Sequence, residues 1–420
     1  MTLALSGVRI LDLTDAISGP FSTMLLANCG AEVIRIESLR HLGFREGPLG
    51  PTGNDEVHKG LQNGLTFSDI DMELLMTPNF SRYNLDKMSV ALNLTKPEAR
   101  DILKKLVKQS DVVVDNLSFS VMHNWGFDYE SLRELKSDII VVKIPSLGRG
   151  PHENWTTWGM NLLSFTGFAH GWGHPDTPME ERAANNTYGD YIAGMKAASS
   201  ILAALYNRSN TGQGQYIEVA QAEATASLLG PYFMDYFVND RISPPQGNRH
   251  PNFSPYNCFP CKGEDRWCVI AVSSDEGWEQ FCGAIGSPKW AKDDKFGTME
   301  SRLKNNDELE DNIKAWTKTL TPHQVMKILQ TAGVPAGAVQ NSEDLYYDHH
   351  LRNRGHMFTL DHGAQGNIVF DGPPVKLAKG QKPQPESAPR LGEQNDYVYK
   401  ELLGFSQEEI TQLIKDKIIF

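Results

Sequence analysis

The stretch LSGVRILDLTDAISGPFSTMLLANCGAEVIRIE, residues 5–37, decides the fold of this chain. Its two runs of branched apolar residues, VRILDLT (8–14) and AEVIRIE (31–37), flank a segment with a proline near its start and a glycine just past its end. That arrangement is typical of a strand, a helix and a second strand. Such a unit crosses over in the right-handed sense and pairs its two strands in parallel.

The same alternation continues beyond residue 37. Four further segments predict strands: KMSVALNL (87–94), DVVVDN (111–116), DIIVVKIPS (138–146) and YIEVAQ (216–221). A helix is predicted between the first two of them, with Thr95 and Glu98 at the spacing of a capping box. Strands that alternate with helices in this way predict an open parallel sheet of the Rossmann type.

The composition and the pattern of the sequence change near residue 235, where turn clusters, short strands and aromatic residues begin. We therefore predict an α/β fold in which a Rossmann-like sheet domain carries a smaller inserted α+β domain. The expected limits are 1–225 for the first part of the large domain, 235–325 for the small domain and 330–420 for the second part.

Composition limits the partners of the protein. The chain has 420 residues, 22% of them charged, and a formal net charge of −12, which argues against nucleic acid as a partner. No run of about 18 apolar residues is present, so we expect no membrane partner. The start of the chain lacks the basic and apolar regions of a signal peptide, and the five cysteines form a sparse, odd set. Reduced thiols and a cytoplasmic location follow as expectations.

Motifs for common cofactors are missing. The turn TDAISGPFST (14–23) lacks the G-x-G-x-x-G fingerprint of dinucleotide binding, and neither a nucleoside-triphosphate loop nor a G-x-S-x-G elbow occurs. The pair CFPC (258–261) has no second pair to complete a zinc ribbon. We expect no metal site and no permanently bound cofactor.

One carboxylate stands out in NNTYGDYIAGMKAASSILAALYN (185–207). Apolar spacing at Ile192, Met195, Ser199, Leu202 and Tyr206 predicts a helix that starts near Asp190. In the first turn the unpaired amides and the helix dipole favour an anion, by about 0.3–1 kcal/mol at an exposed site. From the residues alone, Asp190 is either a helix-start acid without chemistry or an ionised nucleophile with room for a bulky thioester.

The order of several segments favours the nucleophile. The opening stretch, the segment LNLTKPEARDILKKLVKQSDVVVDN (92–116) and the segment GDYIAGMKAASSILAALYNRSNTGQGQYIEV (189–219) resemble class III coenzyme A transferases. GNRHPNFSPYNCF (247–259), GVPAGAV (333–339) and APRLGEQN (388–395) match later parts of that family. Apart from residues 38–86, the resemblance covers nearly the whole chain.

The resemblance implies an acyl-CoA:carboxylate CoA-transferase in which Asp190 is the nucleophile and a CoA thioester is a substrate. It also implies a substrate loop that contains Asn248 and His250. The residues expected to bind CoA lie mainly in turns after the strands: Ile17, Ser18, Arg40, Leu92, Asn93, Thr95, Lys96, Asn116, Leu117, Ser118, Asn124 and Ser146. Some relatives carry basic residues for the phosphates at positions 38 and 145, where this chain has serine and proline, so Arg40, Lys87 and Lys96 are the expected substitutes.

Alternative functions remain open at this stage. The α-methylacyl-CoA racemases of the same scaffold need two proton-transfer groups, and Met160 stands where their pattern has a histidine. A non-catalytic CoA-binding subunit would be expected to lose the aspartate, and a nicotinamide-dependent reductase lacks its glycine fingerprint. The resemblance further implies a pair of interlocked chains, either a homodimer or a heteromer with a related subunit. The acids exchanged are not readable from the sequence.

Overall fold

The structure is a computed structural model that describes residues 2–39, 41–46, 76–182, 187–362, 366–380 and 384–420. The chain divides into two compact units. The first comprises Met1–Phe168, Ala184–Met234 and His350–Phe420, and the second comprises Ala169–Ala183 and Asp235–His349. The second unit thus includes the segment Ala169–Ala183, which precedes Asp190 in the sequence. It also extends beyond residue 325, where the sequence predicted that the small domain ends.

The strands in chain order are β1 Arg9–Asp12, β2 Glu32–Glu37, β3 Met88–Ala91, β4 Val112–Asp115, β5 Ile140–Lys143, β6 Tyr216–Glu218, β7 Tyr256–Pro260, β8 Trp267–Ala271, β9 Ala336–Val339, β10 Met357–Asp361 and β11 Asn367–Asp371. The helices are α1 Ser18–Ala27, α2 Pro78–Tyr83, α3 Pro97–Lys108, α4 Phe119–Trp125, α5 Tyr129–Leu135, α6 Gly159–Phe165, α7 Phe168–Gly171, α8 Tyr188–Thr211, α9 Gln221–Ala226, α10 Gly230–Asn239, α11 Asp275–Ala284, α12 Met299–Lys304, α13 Asn306–Thr317, α14 Pro322–Thr331, α15 Ser342–Tyr347, α16 His349–Asn353 and α17 Gln407–Lys415. A π-helix covers Tyr397–Leu402.

Among the described residues, six strands of the first unit form one sheet in the order β3-β2-β1-β4-β5-β6. All of its pairs are parallel, which confirms the predicted α/β class and the Rossmann-like sheet. Strands β2 and β3 extend the sheet on one side of β1, and β4, β5 and β6 extend it on the other. The strand order therefore reverses between β1 and β4, which is the switch point of the topology. In open sheets of this kind, ligands bind beyond the carboxyl ends of the strands at that point.

Helices cover both faces of the sheet, because successive residues of each strand point to opposite sides. Leu11 and Val113 face a core that contains α3 and residues near the C-terminus. Ile10 and Val112 face a core that contains α1 and α8. Burial on both faces explains why the strand segments read as continuous apolar runs rather than as alternating ones.

A buried network of charges lies under the carboxyl half of β1 and β2. Lys87 donates to Asp12 over 2.9 Å, and neither side chain is exposed. Arg45 forms a bidentate pair with Glu37, with both distances 2.8 Å, and its guanidinium lies 3.6 Å from the centre of the Phe80 ring. Each buried charge therefore has an opposite charge beside it, as the cost of desolvation requires.

The second unit has a mixed architecture. Its strands β7, β8 and β9 pair antiparallel, and helices α11, α13 and α14 pack around an aromatic core that includes Trp278 and Phe281. Cys261 and Cys268 are buried in this core and are free thiols. No group of three or more metal-ligating side chains occurs within the part of the chain that the structure describes.

The start of α3 differs from the one predicted from the sequence. The predicted capping box at Thr95 and Glu98 is wrong: α3 begins one residue later, with Lys96 as its N-cap, and Thr95 donates to Asn93 instead. A side chain that bonds back to its own turn is a common competitor of a helix cap.

None of the described helices combines the length and the apolarity that a membrane span requires.

Candidate active site

Asp190 lies in the first turn of α8, as the sequence predicted, and its backbone amide donates to the Thr187 carbonyl over 3.0 Å. The side chain is 8% exposed. Its carboxylate accepts no hydrogen bond from any of the described residues, which leaves both oxygens available for chemistry. An acid that served only to cap a helix would instead be bonded to the free amides of the first turn.

The Asp190 carboxylate lies against the backbone of Gly159, the first residue of α6. A Cβ atom added at Gly159 would be only 2.5 Å from Oδ2 of Asp190. Burial raises the pKa of the Asp190 carboxyl from 3.8 to about 6. The expectation that the helix terminus favours the anion is therefore outweighed here by loss of solvent. At pH 7.5 the group is still mainly ionised, and it is a more basic carboxylate than one in water.

Two more glycines allow other elements to approach the turn that carries Asp190. A Cβ at Gly189 would lie 2.6 Å from Oγ1 of Thr225 in α9 and 3.0 Å from the Leu162 side chain in α6. A Cβ at Gly194 would lie 2.7 Å from the Ser18 carbonyl oxygen at the start of α1. The turn that carries Asp190 is consequently packed closely against α1, α6 and α9, and at Gly194 the contact joins backbone to backbone.

The loop after β1 is fastened to the loop after β4 at the switch point. The Asn116 side chain accepts from the Asp15 amide over 2.8 Å and donates to the Asp15 carbonyl over 2.7 Å. Asn116 is itself an expected CoA contact. Its two hydrogen bonds hold the loop that contains Ile17 and Ser18, two further expected contacts, beside it. The topology explains the arrangement, since β1 and β4 are adjacent and parallel.

Ser146, after β5, joins the same edge of the sheet through α9. The Ser146 carbonyl accepts from the Ala222 amide over 2.9 Å, and Gln221 of α9 donates to the Ser18 hydroxyl over 3.2 Å. Gln221 was not predicted to belong to the site. Its position directly after the last parallel strand is the only sequence signal that could have found it.

The turn after β3 is partly closed to a ligand. Leu92 and Asn93 are buried, and the Asn93 amide donates to the Ile418 carbonyl near the C-terminus. Thr95 and Lys96 of the same turn are exposed. If CoA is bound at this turn, those two residues offer side chains, whereas Leu92 and Asn93 do not.

The remaining expected CoA contacts lie near the end of β4 or outside the described residues. Leu117 is half-buried, Ser118 and Asn124 are exposed, and the Leu117 carbonyl accepts from Lys143 over 3.0 Å. Arg40 lies outside the described residues. Lys87 was expected as a substitute cation for the phosphates, and that expectation is wrong because its ammonium group is buried against Asp12.

A cavity of about 260 Å³ opens beside Phe119, and the sequence did not predict it. Lys143, Arg149, Phe119 and Tyr216 are among its lining residues. The Arg149 guanidinium lies 5.2 Å from the centre of the Phe119 ring, and the Lys143 ammonium lies 4.9 Å from the same ring. Asp115, Asp128 and Glu153 also line the cavity, and Lys143 is paired with Asp115 over 2.5 Å, so Arg149 is the lining cation that is exposed to solvent.

Asn248 and His250 lie in the second unit, where they flank Arg249. The Arg249 guanidinium binds buried Glu310 with distances of 3.0 and 2.8 Å. The His250 ring stacks on Phe253 with 4.3 Å between ring centres, whereas Asn248 is exposed. The loop is thus rigidly anchored inside its own unit, and its role as a substrate loop stays a prediction.

The described residues define the class: an α/β protein in which a buried carboxylate, without a hydrogen bond from any of them, lies in the helix that packs against the switch-point helix of a parallel sheet. The chain belongs to CoA-transferase family III, whose sequence model matches residues 5–395. The resemblance stated from the sequence is thereby confirmed, and the protein is an enzyme of the CoA-transferase kind.

Individual relatives agree with the family. The chain is 29% identical to a formyl-CoA:oxalate CoA-transferase of Bradyrhizobium sp. (strain ORS 278), over 98% of this chain and 96% of that protein. It is 28% identical to a succinate–glutarate CoA-transferase of Agrobacterium fabrum (strain C58), over 95% of each. Among solved structures, a CAIB/BAIF family protein from Brucella suis has a TM-score of 0.82 and 24% identity, with 96% of this chain and all of that one covered. This last likeness concerns the fold alone.

Proposed function

We propose that the protein moves CoA from a donor acyl-CoA to an acceptor carboxylic acid, with Asp190 as a covalent carrier. The observation that carries the proposal is the Asp190 carboxylate itself, which is buried and without a hydrogen-bond partner among the described residues. Desolvation raises its pKa to about 6 and so makes the anion more basic, while leaving it ionised at neutral pH.

The proposed steps balance without a redox partner or a net proton. An Asp190 oxygen attacks the thioester carbonyl of the donor, the C–S bond breaks, and CoA leaves as a thiolate. The thiolate attacks the aspartyl carbonyl of the mixed anhydride, and the donor acid leaves as a carboxylate. The acceptor carboxylate then attacks the aspartyl-CoA thioester, and the returning thiolate completes the new acyl-CoA and regenerates Asp190. The thioester bond energy is conserved, so no nucleoside triphosphate is needed.

We further propose that CoA lies along the carboxyl edge of the sheet. The pair formed by Asn116 and Asp15 would support its middle part next to Ser18. Arg149, the exposed cation in the cavity beside Phe119, would supply positive charge for its phosphates. Lys96 and Arg40 remain candidates for the same role.

The racemase alternative is less well supported. Residue 160 directly follows Gly159, which contacts the nucleophile, so a histidine there would stand close to the reacting group. The residue is methionine, which carries no proton. A second group for α-proton transfer is therefore missing from this position.

The interlocked dimer also remains a proposal. Helix α10 has no buried residue, and its Tyr232, Phe233 and Met234 side chains are exposed. Exposed apolar surface of this kind is typical of a subunit interface. Light scattering of the purified protein, alone and mixed with related subunits, distinguishes a homodimer from a heteromer.

The test of the function is direct. The protein is incubated with acyl-CoA donors, treated with hydroxylamine, and digested for mass spectrometry. We expect a hydroxamate at Asp190 that is absent from Asp190→Ala. Deuterium uptake at the α-carbon of the acyl group, without transfer between acids, would favour a racemase and contradict the proposal.

A further inference from the structure

The backbone that touches the Asp190 carboxylate is flanked by exposed apolar side chains. Gly159 makes the contact, and its neighbours Trp158 and Met160 are 64% and 48% exposed. Tyr188, two residues before the nucleophile, is also exposed and stacks on Phe168 with 6.2 Å between ring centres. Large apolar groups left in contact with water beside a reactive group are typical of a ligand pocket wall.

This wall carries almost no charge. Residues 155–169 include no acidic, basic or histidine side chain, and Asp190 is the only charged residue between Thr187 and Met195. Consistent with this, burial is the sole cause of the raised pKa of Asp190. Because no charged group among the described residues acts on Asp190, a second carboxylate on the acyl group would be desolvated here without one of their cations beside it, which is costly.

We propose that the acyl group transferred by Asp190 belongs to an apolar monocarboxylic acid, whose ring or alkyl chain packs on Trp158 and Met160. This inference rests on the proposed CoA-transferase function. It separates the chain from the relatives reported above, whose names specify oxalate, succinate and glutarate. An apolar acyl group gains from leaving water and from contact with the indole ring, whereas a dicarboxylate gains neither.

The first experiment compares acceptor acids at a fixed concentration of acetyl-CoA. The probes are phenylacetate and hexanoate on one side, and succinate and glutarate on the other. We expect kcat/KM for the apolar acids to exceed that for the dicarboxylic acids by about tenfold or more. A preference for the dicarboxylic acids would overturn the inference.

The second experiment tests the wall itself. Trp158→Ala is expected to raise the KM for phenylacetate about tenfold while the KM for acetyl-CoA changes little, and Trp158→Phe should restore most of the loss. The matched control is Tyr206→Ala, which removes an exposed ring from the same helix as Asp190, sixteen residues further on and so about 24 Å along its axis. Tyr206→Ala should leave both constants unchanged.

A third variant tests for a gain of activity toward a dicarboxylic acid. Met160→Arg places a cation on the wall, and it should raise kcat/KM for succinate relative to phenylacetate by about tenfold. No change in that ratio would contradict the position assigned to Met160.

The outcomes separate the inference from the function on which it rests. If the parent protein transfers CoA to none of the acids and Asp190 is never labelled, the proposed function fails. If transfer occurs but Trp158→Ala lowers kcat equally for every acid and changes the molecular mass in light scattering, the side chain belongs to a subunit interface and the inference alone fails.

Discussion

Gly194 of α8 lies directly against the carbonyl oxygen of Ser18 in α1, at a separation that leaves no room for a methyl group. The contact joins the helix of Asp190 to the first turn of the switch-point helix. The proposed nucleophile and an expected CoA contact are therefore placed relative to each other by two backbones.

Gly194→Ala should consequently separate these helices. The new Cβ would lie 2.7 Å from the Ser18 oxygen and 3.0 Å from the Phe21 ring. We expect a loss of about 1–3 kcal/mol in the free energy of unfolding, measured in urea, and a larger fall in kcat than in CoA affinity. Gly230→Ala is the control, because its Cβ would meet no atom within 4 Å. Equal effects of the two substitutions would contradict the argument.

Asp190→Asn should abolish transfer and stabilise the fold. The pKa of the carboxyl is raised from 3.8 to about 6, so the buried anion begins to cost stability above pH 3.8 and the full cost is present above about pH 6. Removing the charge should raise the free energy of unfolding at pH 7.5 by about 1–3 kcal/mol. Calorimetry at pH 7.5 and near pH 4 checks this, because the gain should shrink at the lower pH. Transfer at the parental rate would refute the covalent carrier.

The rate should depend on pH through the same group. Because the ionised carboxylate attacks, kcat/KM for the acyl-CoA should fall as the pH decreases through about 6. A carboxyl group changes its pKa little with temperature, whereas an imidazole changes it markedly. Profiles recorded at two temperatures should therefore coincide. A midpoint that moves on warming would assign the ionisation to a histidine instead.

Asn116→Ala should loosen the switch point. It removes both hydrogen bonds to Asp15, each of which contributes about 1 kcal/mol. The dissociation constant for CoA, measured by calorimetry, should rise about tenfold. Asn210→Ala provides the comparison, since that exposed asparagine lies at the far end of α8 and bonds only locally to Tyr206. An unchanged affinity in Asn116→Ala would show that the loop after β1 does not hold CoA.

Lys87→Met should destabilise the sheet domain strongly. It leaves Asp12 buried beside no ammonium group, a change that costs about 3–5 kcal/mol in comparable pairs. The double variant with Asp12→Asn should recover part of the loss. Lys104→Met, which breaks an exposed pair with Asp101, should change stability by less than about 1 kcal/mol. Similar losses at positions 87 and 104 would disprove the importance of burial.

The parallel sheet was predictable because burial on both faces leaves continuous apolar runs, and each run from β1 to β6 was found at its place in the sequence. The helix of Asp190 was also predicted, but its apolar spacing indicated the wrong face. Met195, Leu202 and Tyr206 are exposed, whereas the buried side consists of Gly and Ala with Ile201 and Asp190. Small residues give almost no hydrophobic signal, although they permit the closest packing.

The site was predicted only in part for a similar reason. Asp190 carries a recognisable pattern, but its contact with Gly159 joins two segments through a residue that has no side chain. Gln221 and Lys143 became visible only when the sheet order placed β5 and β6 next to each other. The burial of Lys87 could not be predicted either, since its partner Asp12 is 75 residues away in sequence.

The small-residue face of α8 has a consequence for protein engineering. The packing of α8 around Asp190 is set by a buried face of glycine and alanine, whereas the neighbouring side chains of Trp158 and Met160 are exposed and do not belong to that face. Directed evolution can therefore vary the second set freely and should leave the first untouched. A library built on that division would explore new acids without losing the catalytic machinery.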